Sequence, residues 1–308
     1  MTNLPGAATA ALRAATGRTV DPVACAAGLR KVDEGFWVSD AEPTGLSYAP
    51  DGHEWCYSVE ERSYWFLHRN EIIASVVARY APGETLYDVG GGTGFVSLAL
   101  QRAGLESVLV EPGPVGVEHA RARGLRFVVR STFHDARFRP ASVGAFGLFD
   151  VLEHIEHDAG LIGSLREGLR PGGLLFLTVP AFPALWSAED QHVGHFRRYR
   201  LGALSRLALE SGLDVVFASY FFWPLAPAVL LARAIPSRLA LRRPSRAVSR
   251  HEHTLPPGWP GRLMARALAW EGRRIGTSKR MPFGSSCLLV ARRPALQDAG
   301  APWLREVE

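Results

Sequence analysis

The chain has 308 residues, 47% of them hydrophobic and 21% charged, with a mean hydropathy of +0.02. Such a composition can bury a full core and excludes a disordered chain, while the length suits one large domain or two modest ones. The formal charge of +5 hints at an acidic partner without naming it.

Only Lys31 and Lys279 among the basic residues are lysine. A GC-rich genome produces that arginine bias, so arginine content is no evidence for nucleic-acid binding. Cys25, Cys56 and Cys287 are widely separated and odd in number, which argues against a disulfide framework and against a paired-cysteine zinc site. The N-terminus lacks the basic and long apolar regions of a signal peptide. The longest apolar stretch, Phe221–Ile235, is interrupted by Pro224, Pro227 and Arg233 and is too short to span a bilayer. A cytoplasmic, reduced protein is expected.

In chain order, residues 1–57 read as irregular, with Gly, Pro, Asp and Ser clustered around 40–52. Tyr64, Leu67, Ile72, Val76 and Val77 fall near 3.6-residue spacing and predict a helix over 60–80, stopped by Ala81-Pro82-Gly83. Strands and helices then alternate. Strands are expected at 85–89, 107–110, 126–129, 145–149, 174–179 and 214–218, and helices at 94–103, 114–123, 158–169 and 201–211. Pro171-Gly172-Gly173 separates the third of those helices from its strand. This alternation predicts an α/β fold, with a parallel sheet covered on both faces.

The rhythm breaks between Pro224 and Gly284, where a helix is expected only at 262–274, and a closing strand follows at 286–291. That interval holds twelve basic residues against Glu252 and Glu271, a net of +10, so the rest of the chain carries −5. The expected organisation is an N-terminal arm or cap over 1–59, a core over 60–223 and 285–293, an inserted basic cap over 224–284, and a tail over 294–308.

The strongest chemical signal is Asp88-Val89-Gly90-Gly91-Gly92-Thr93-Gly94, an apolar strand running through four glycines into a helix. Glycine there admits positive φ and lets a ligand approach the backbone. The dinucleotide spacing GxGxxG fails, because its third glycine would fall on Phe95, and no Lys-Ser/Thr follows to make a phosphate loop. Glu111, at the end of the second strand, supplies a carboxylate where such folds hold the hydroxyls of a ribose.

These residues resemble the class I S-adenosylmethionine-dependent methyltransferases. Residues 88–94 look like the family's first motif, Glu111 like its ribose-binding acid, and Asp150-Val151-Leu152-Glu153-His154 and Leu169–Gly173 like its later motifs. Gly91 stands where many members carry cysteine, alanine or serine. The resemblance implies a Rossmann-like, doubly wound sheet with mainly parallel strands and an antiparallel last strand. It also implies S-adenosylmethionine as cofactor and methyl transfer to a small-molecule acceptor, secondary-metabolite or sugar-derived. It leaves open a repurposed cofactor-binding protein, a regulatory subunit or a cyclase. The residues it assigns to the cofactor are Asp88, Gly90, Gly92, Glu111 and Asp150, with the backbone near Thr132 and Phe133 at the adenine. Glu60, Tyr64-Trp65-Phe66, Arg69, His195–Tyr199 and Pro282–Ser286 are similar to elements of a bacterial small-molecule subgroup.

Methyl transfer to a hydroxyl or an acidic carbon needs a proton acceptor near the ends of the fourth and fifth strands. The candidates are His154, Asp190, His192 and His195. His195 either takes the proton or, with Arg197 and Arg198, locks its loop to the core. Asp190, His192 and His195, with His154 as a fourth, have ligand types that suit iron or zinc, yet their spacing in one loop is unspecific and no metal is assigned. His251-Glu252-His253 reads as a solvated turn. The basic insertion is open to three readings, recruiting an anionic acceptor, resting on acidic lipid or binding nucleic acid, beside the plain alternative of a cap whose arginines are solvated. No nucleic-acid module is recognisable, and the oligomeric state is not legible.

Overall fold

The computed structural model describes residues 20–40, 50–239 and 253–295. Its sheet has nine strands among the described residues, in the spatial order β1-β2-β5-β4-β3-β6-β7-β9-β8. The strands are β1 (Leu29–Asp33), β2 (Phe36–Ser39), β3 (Leu86–Val89), β4 (Ser107–Val110), β5 (Val128–Arg130), β6 (Val143–Phe149), β7 (Leu169–Pro180), β8 (Asp214–Phe221) and β9 (Ser286–Arg292). From β2 to β7 neighbouring strands run parallel, whereas β9 runs antiparallel between β7 and β8. Every residue of β3 and β4 is buried, as expected of strands covered on both faces.

The helices are α1 (Pro50–Val59), α2 (Tyr64–Tyr80), α3 (Phe95–Arg102), α4 (Pro114–Ala122), α5 (Phe133–Ala136), α6 (Asp158–Gly168), α7 (Ala188–His192), α8 (Leu201–Glu210) and α9 (Trp259–Gly276), with short helical turns over 226–238. One core cluster joins Phe146, Leu148 and Leu177 to Ile162 and Leu165 of α6 and Leu204 of α8. A second joins Phe176, Leu288 and Val290 to Ile72 and Val76 of α2, Leu100 of α3, and Leu268 and Ile275 of α9. The doubly wound sheet with its antiparallel last strand is therefore present.

Three details depart from the sequence reading. The region 1–57, expected to be irregular, supplies the β1–β2 hairpin, whose second strand pairs in parallel with β5 and extends the sheet. Gly35 at φ +71° makes that turn, and a side chain there would strike the Arg126 carbonyl. Pro171-Gly172-Gly173 lies inside β7 rather than before it, because Gly172 and Gly173 exchange backbone hydrogen bonds with Arg293 beyond β9. His253 is not a solvated turn: its Nδ1 lies 2.7 Å from Ser63 Oγ, its carbonyl accepts from Tyr64 N–H at 3.3 Å, and its ring stacks on Phe66. His251, Glu252 and the tail from residue 296 lie outside the described residues. No helix among the described residues is long and apolar enough to cross a membrane.

The site follows from the topology. The chain leaves β3 toward β4 and β5 on one side and returns to β6 on the other, so the strand order reverses between β3 and β6. The crevice outside the carboxyl ends of such strands is where open α/β sheets bind ligands.

Candidate active site

The glycine loop occupies that crevice. Gly90, Gly92 and Gly94 take φ of +72°, +57° and +74°, which a side chain resists by about 1–2 kcal/mol each. A Cβ on Gly92 would meet open space, but one on Gly90 would stand 3.0 Å from Val151 in the loop after β6. Gly91 is required for a different reason: its Cβ would come within 2.5 Å of Leu109 and 2.6 Å of the Asp88 carboxylate.

Asp88 therefore lies beneath the loop, fully buried, rather than open to the crevice. Ser97 donates to its Oδ2 at 2.8 Å, while Oδ1 is buried without a hydrogen-bond partner. Burial pushes this carboxyl up to about 6, with the Ser97 hydrogen bond and Arg69 opposing it.

Glu111 faces the loop from the end of β4. Its carboxylate accepts from Gly92 N–H at 2.9 Å and from Gly113 N–H at 2.7 Å. Desolvation raises it to about 7 in spite of those two donors. A carboxylate has about four acceptor sites, so two amides leave capacity for a pair of hydroxyls. The fit to a ribose thus rests on chemistry shown by this structure: a buried acceptor already aligned with a glycine backbone that a ligand can approach. His53 of α1 packs over the same corner, close enough that a Cβ on Gly113 would lie 3.0 Å from its ring.

The segment that follows the arm is fastened to the loop as well. Glu60 accepts from Thr93 Oγ1 at 2.6 Å and pairs with Arg123 at 2.8 Å, and Arg123 also donates to the Thr93 carbonyl. Thr132 caps α5, its hydroxyl donating to Asp135 at 2.6 Å and accepting from the Asp135 N–H. The Phe133 ring stacks on Phe138 with centroids 5.3 Å apart, so its side chain is occupied in the core.

Asp150 ends β6 in the left-handed region, at φ +59°. Arg69 of α2 donates to its Oδ2 at 2.6 Å, and Thr178 donates to its Oδ1 at 3.3 Å. The guanidinium lies 5.0 Å from the centroid of Trp65 and 5.1 Å from that of Phe66. The aromatic signature in α2 thus serves to hold an arginine at the strand ends.

Beyond β7, Asp190 organises a second cluster. Its Oδ2 accepts from the N–H and hydroxyl of Ser187, closing a capping box on α7. Arg198 grips both oxygens at 2.8 and 3.0 Å, and His195 Nδ1 lies 2.8 Å from Oδ1. Burial would raise this carboxyl, yet the hydrogen bonds from His195 and Arg198 hold it down to about 2. An acceptor on Nδ1 assigns that nitrogen the proton and leaves the Nε2 lone pair of neutral His195 free to take another.

Nε2 of His195 lies 3.9 Å from Glu153, and its ring meets that of His154 edge-on at 4.6 Å. Burial brings His154 down to about 4, with the neighbouring His195 adding to the shift, so it is neutral at neutral pH. Glu153 is 1% exposed, and neither carboxylate oxygen has a hydrogen-bond partner. Burial and the nearby Asp150 push its carboxyl well above the usual range.

The structure thus brings together Asp190, His195 and His154, whereas His192 is exposed at the end of α7. Among the described residues, the three groups whose ligand atoms lie within 4.8 Å of one another are Glu153, His154 and His195, not the Asp190–His192–His195 set suggested by spacing. Asp190 is spent on Ser187 and Arg198. Sequence reasoning left out Glu153 as a site member, although its place beside Asp150 and His154 was the available signal.

Residues 65–217 match the family described as a methyltransferase domain. A ubiquinone biosynthesis O-methyltransferase of Xanthomonas campestris pv. campestris is 34% identical over 110 residues, 33% of this chain and 46% of that protein. A "probable S-adenosylmethionine-dependent methyltransferase" of Mycolicibacterium smegmatis is 25% identical over 158 residues, 50% of this chain and 61% of that protein. The chain spans about half the length of these curated relatives. Among solved structures, phosphoethanolamine N-methyltransferase 2 of Haemonchus contortus superposes with a TM-score of 0.50 at 16% identity, covering 81% of this chain and 58% of that one. A chain of the complex containing the Haloferax volcanii Trm112 methyltransferase activator gives 0.51 at 17% identity, covering 81% of this chain and 100% of that one. These two likenesses show the fold alone.

Proposed function

We propose, from the premise that the chain belongs to the class I S-adenosylmethionine-dependent methyltransferases, that it transfers the cofactor's methyl group to a hydroxyl or acidic carbon of a small molecule. One observation carries this reading: the left-handed glycine loop and the buried Glu111 carboxylate meet in one crevice at the point where the strand order reverses.

The cofactor supplies an electrophilic methyl on a sulfonium, and the chain's part is alignment, exclusion of water and handling of the proton. In this reading Glu111 receives the ribose hydroxyls, Gly90 and Gly92 let the ligand approach, and the backbone at Thr132 and Phe133 borders the adenine. Asp88 acts through the loop that it supports. Asp150, held by Arg69, lies at the methyl-transfer edge.

His195 takes the acceptor's proton on Nε2. Asp190, held ionised by its donors, fixes the tautomer and stabilises the resulting imidazolium. His154 is a neutral neighbour at that edge. Because Arg198 and Ser187 also bind Asp190, one carboxylate both locks the loop and orients the base.

Calorimetric titration with S-adenosylmethionine tests the shared premise. Measurable binding, lost in Glu111→Ala, is expected, with turnover to S-adenosylhomocysteine when a pool of small-molecule acceptors is added. Absence of binding refutes the reading. Binding without turnover on any acceptor pool favours a cofactor-binding protein that transfers no methyl.

A further inference from the structure

The basic insertion presents a surface that the reaction does not use. Among the described residues, eleven large hydrophobic side chains are exposed, and seven lie in this insertion: Leu231, Ile235, Leu239, Trp259, Leu263, Trp270 and Phe283. Trp259 is 70% exposed and Leu263 60%. A soluble surface scatters such residues, so their concentration in one segment calls for a cause.

Helix α9 shows how they are arranged. At about 100° per residue, Gly261, Leu268, Glu271 and Ile275, its buried residues, share one face. Trp259, Arg262, Leu263, Arg266, Trp270 and Arg273 fall on the opposite stripe, and all six are exposed. The outward face therefore consists of two tryptophans, a leucine and three arginines with no acid among them. It spans about 16 Å from Trp259 to Trp270 at 1.5 Å per residue. Beyond Trp270 the apolar surface continues through Trp223 to the half-exposed Phe283, with ring centroids 6.3 and 6.2 Å apart.

The inner face is fixed, so the outer one is rigidly displayed. Glu271 is fully buried, pairs with His68 at 2.8 Å, and accepts from the N–H groups of Phe222 and Trp223 at 2.8 Å each. One of the insertion's two acids is thereby turned inward, and it offsets none of the positive charge outside.

We propose that this face docks on the surface of an anionic phospholipid leaflet, with α9 lying in the interfacial plane. Tryptophan and leucine enter the boundary between headgroups and acyl chains, while arginine keeps its apolar stem there and its guanidinium among phosphates. Charge selects the partner: an apolar face alone would suit any hydrophobic surface, but interleaved arginines require anions at the same depth. A nucleic acid would use the arginines and stack on the tryptophans, yet leave Leu263, Leu231 and Leu239 in water. This surface is independent of the methyl-transfer reading.

Sedimentation of the full chain with phosphatidylcholine vesicles, with and without phosphatidylglycerol, tests the proposal. Partition should rise steeply with phosphatidylglycerol and fall as salt is added. Replacing Arg262, Arg266 and Arg273 by glutamine should weaken partition on the order of 100-fold, since each basic group near such a surface contributes roughly a factor of five. The double substitution Trp259→Ser with Leu263→Ser should reduce it at least tenfold, and brominated lipid should quench tryptophan emission more strongly in the parent than in either variant. All five residues are exposed, and an unchanged thermal transition checks that the variants fold. Equal binding to both vesicle types, undiminished binding by the arginine variant, or binding to single-stranded RNA at matched salt with none to vesicles would each overturn the proposal.

Discussion

Arg69 lies 2.6 Å from Asp150, joining the first long helix to the end of β6 across the crevice. The arginine is buried against Trp65 and Phe66, so its charge is committed to this carboxylate. Removing one member of a buried pair strands the other. Arg69→Met is expected to lower unfolding free energy by about 3 kcal/mol. Arg69→Lys should lose part of that, because it keeps the charge but not the bond from Nε to Asn70. Urea denaturation of the three proteins checks the order; equal midpoints would exclude a structural role for the pair.

The raised pKa of Glu111 gives two opposite pH effects. A buried acid raised to about 7 favours the fold when protonated, so its contribution is complete below its ordinary value near 4.3 and is lost as pH rises through about 7. Cofactor binding runs the other way, since the ionised carboxylate is the better acceptor for ribose hydroxyls. Affinity for S-adenosylhomocysteine should fall as pH drops below 7, and Glu111→Gln should lose that slope. A parent and variant with parallel profiles between pH 5.5 and 8, on the order of the range around this pKa, would contradict the assignment.

Glycines of one chain should respond with opposite signs. Gly91→Ala forces a methyl against Leu109 and the Asp88 carboxylate and is expected to cost roughly 1–3 kcal/mol. Gly163→Ala, within α6 and with nothing near its added methyl, should stabilise by about 0.5–1 kcal/mol. Thermal melts distinguish them. A neutral Gly91→Ala would mean that the loop relaxes freely.

His195→Gln removes the proposed proton acceptor yet keeps a side chain that can bond Asp190. It should lower kcat by about 10²–10⁴-fold with little change in KM for the cofactor. A variant with unimpaired kcat would reduce His195 to a loop tether.

Glu271→Ala leaves two backbone N–H groups and His68 without their shared acceptor. At about 1–3 kcal/mol for each stranded group, the loss should approach the stability of a small domain's weakest region, and α9 should detach. Hydrogen exchange over 259–276 checks this. Exchange protection equal to that of the parent would show that Leu268 and Ile275 suffice.

Much of the core was legible because its determinants are local. The alternation of apolar strands with helices, the glycine run and the acid ending β4 all depend on neighbours within a few residues. The β1–β2 hairpin was not legible as part of the sheet, since Phe36, Trp37 and Val38 join it by pairing with Val128, Val129 and Arg130 far along the chain. The position of Pro171-Gly172-Gly173 inside β7 likewise depends on Arg293.

In the site, spacing alone suggested that Asp190, His192 and His195 act together, but spacing in a loop carries no direction. The chain turns His192 to solvent and brings Glu153 and His154, some forty residues earlier, against His195. What the amino-acid sequence by itself determined is the doubly wound α/β order, the glycine loop and Glu111, because backbone conformation and hydrophobic period are short-range properties. Tertiary structure alone decided which buried charges face one another. It placed Asp88 under the loop, set Arg69 on Asp150, turned Glu271 inward and left two tryptophans and three arginines of α9 outside, since packing selects one face of each element and the sequence does not state which neighbour will cover it.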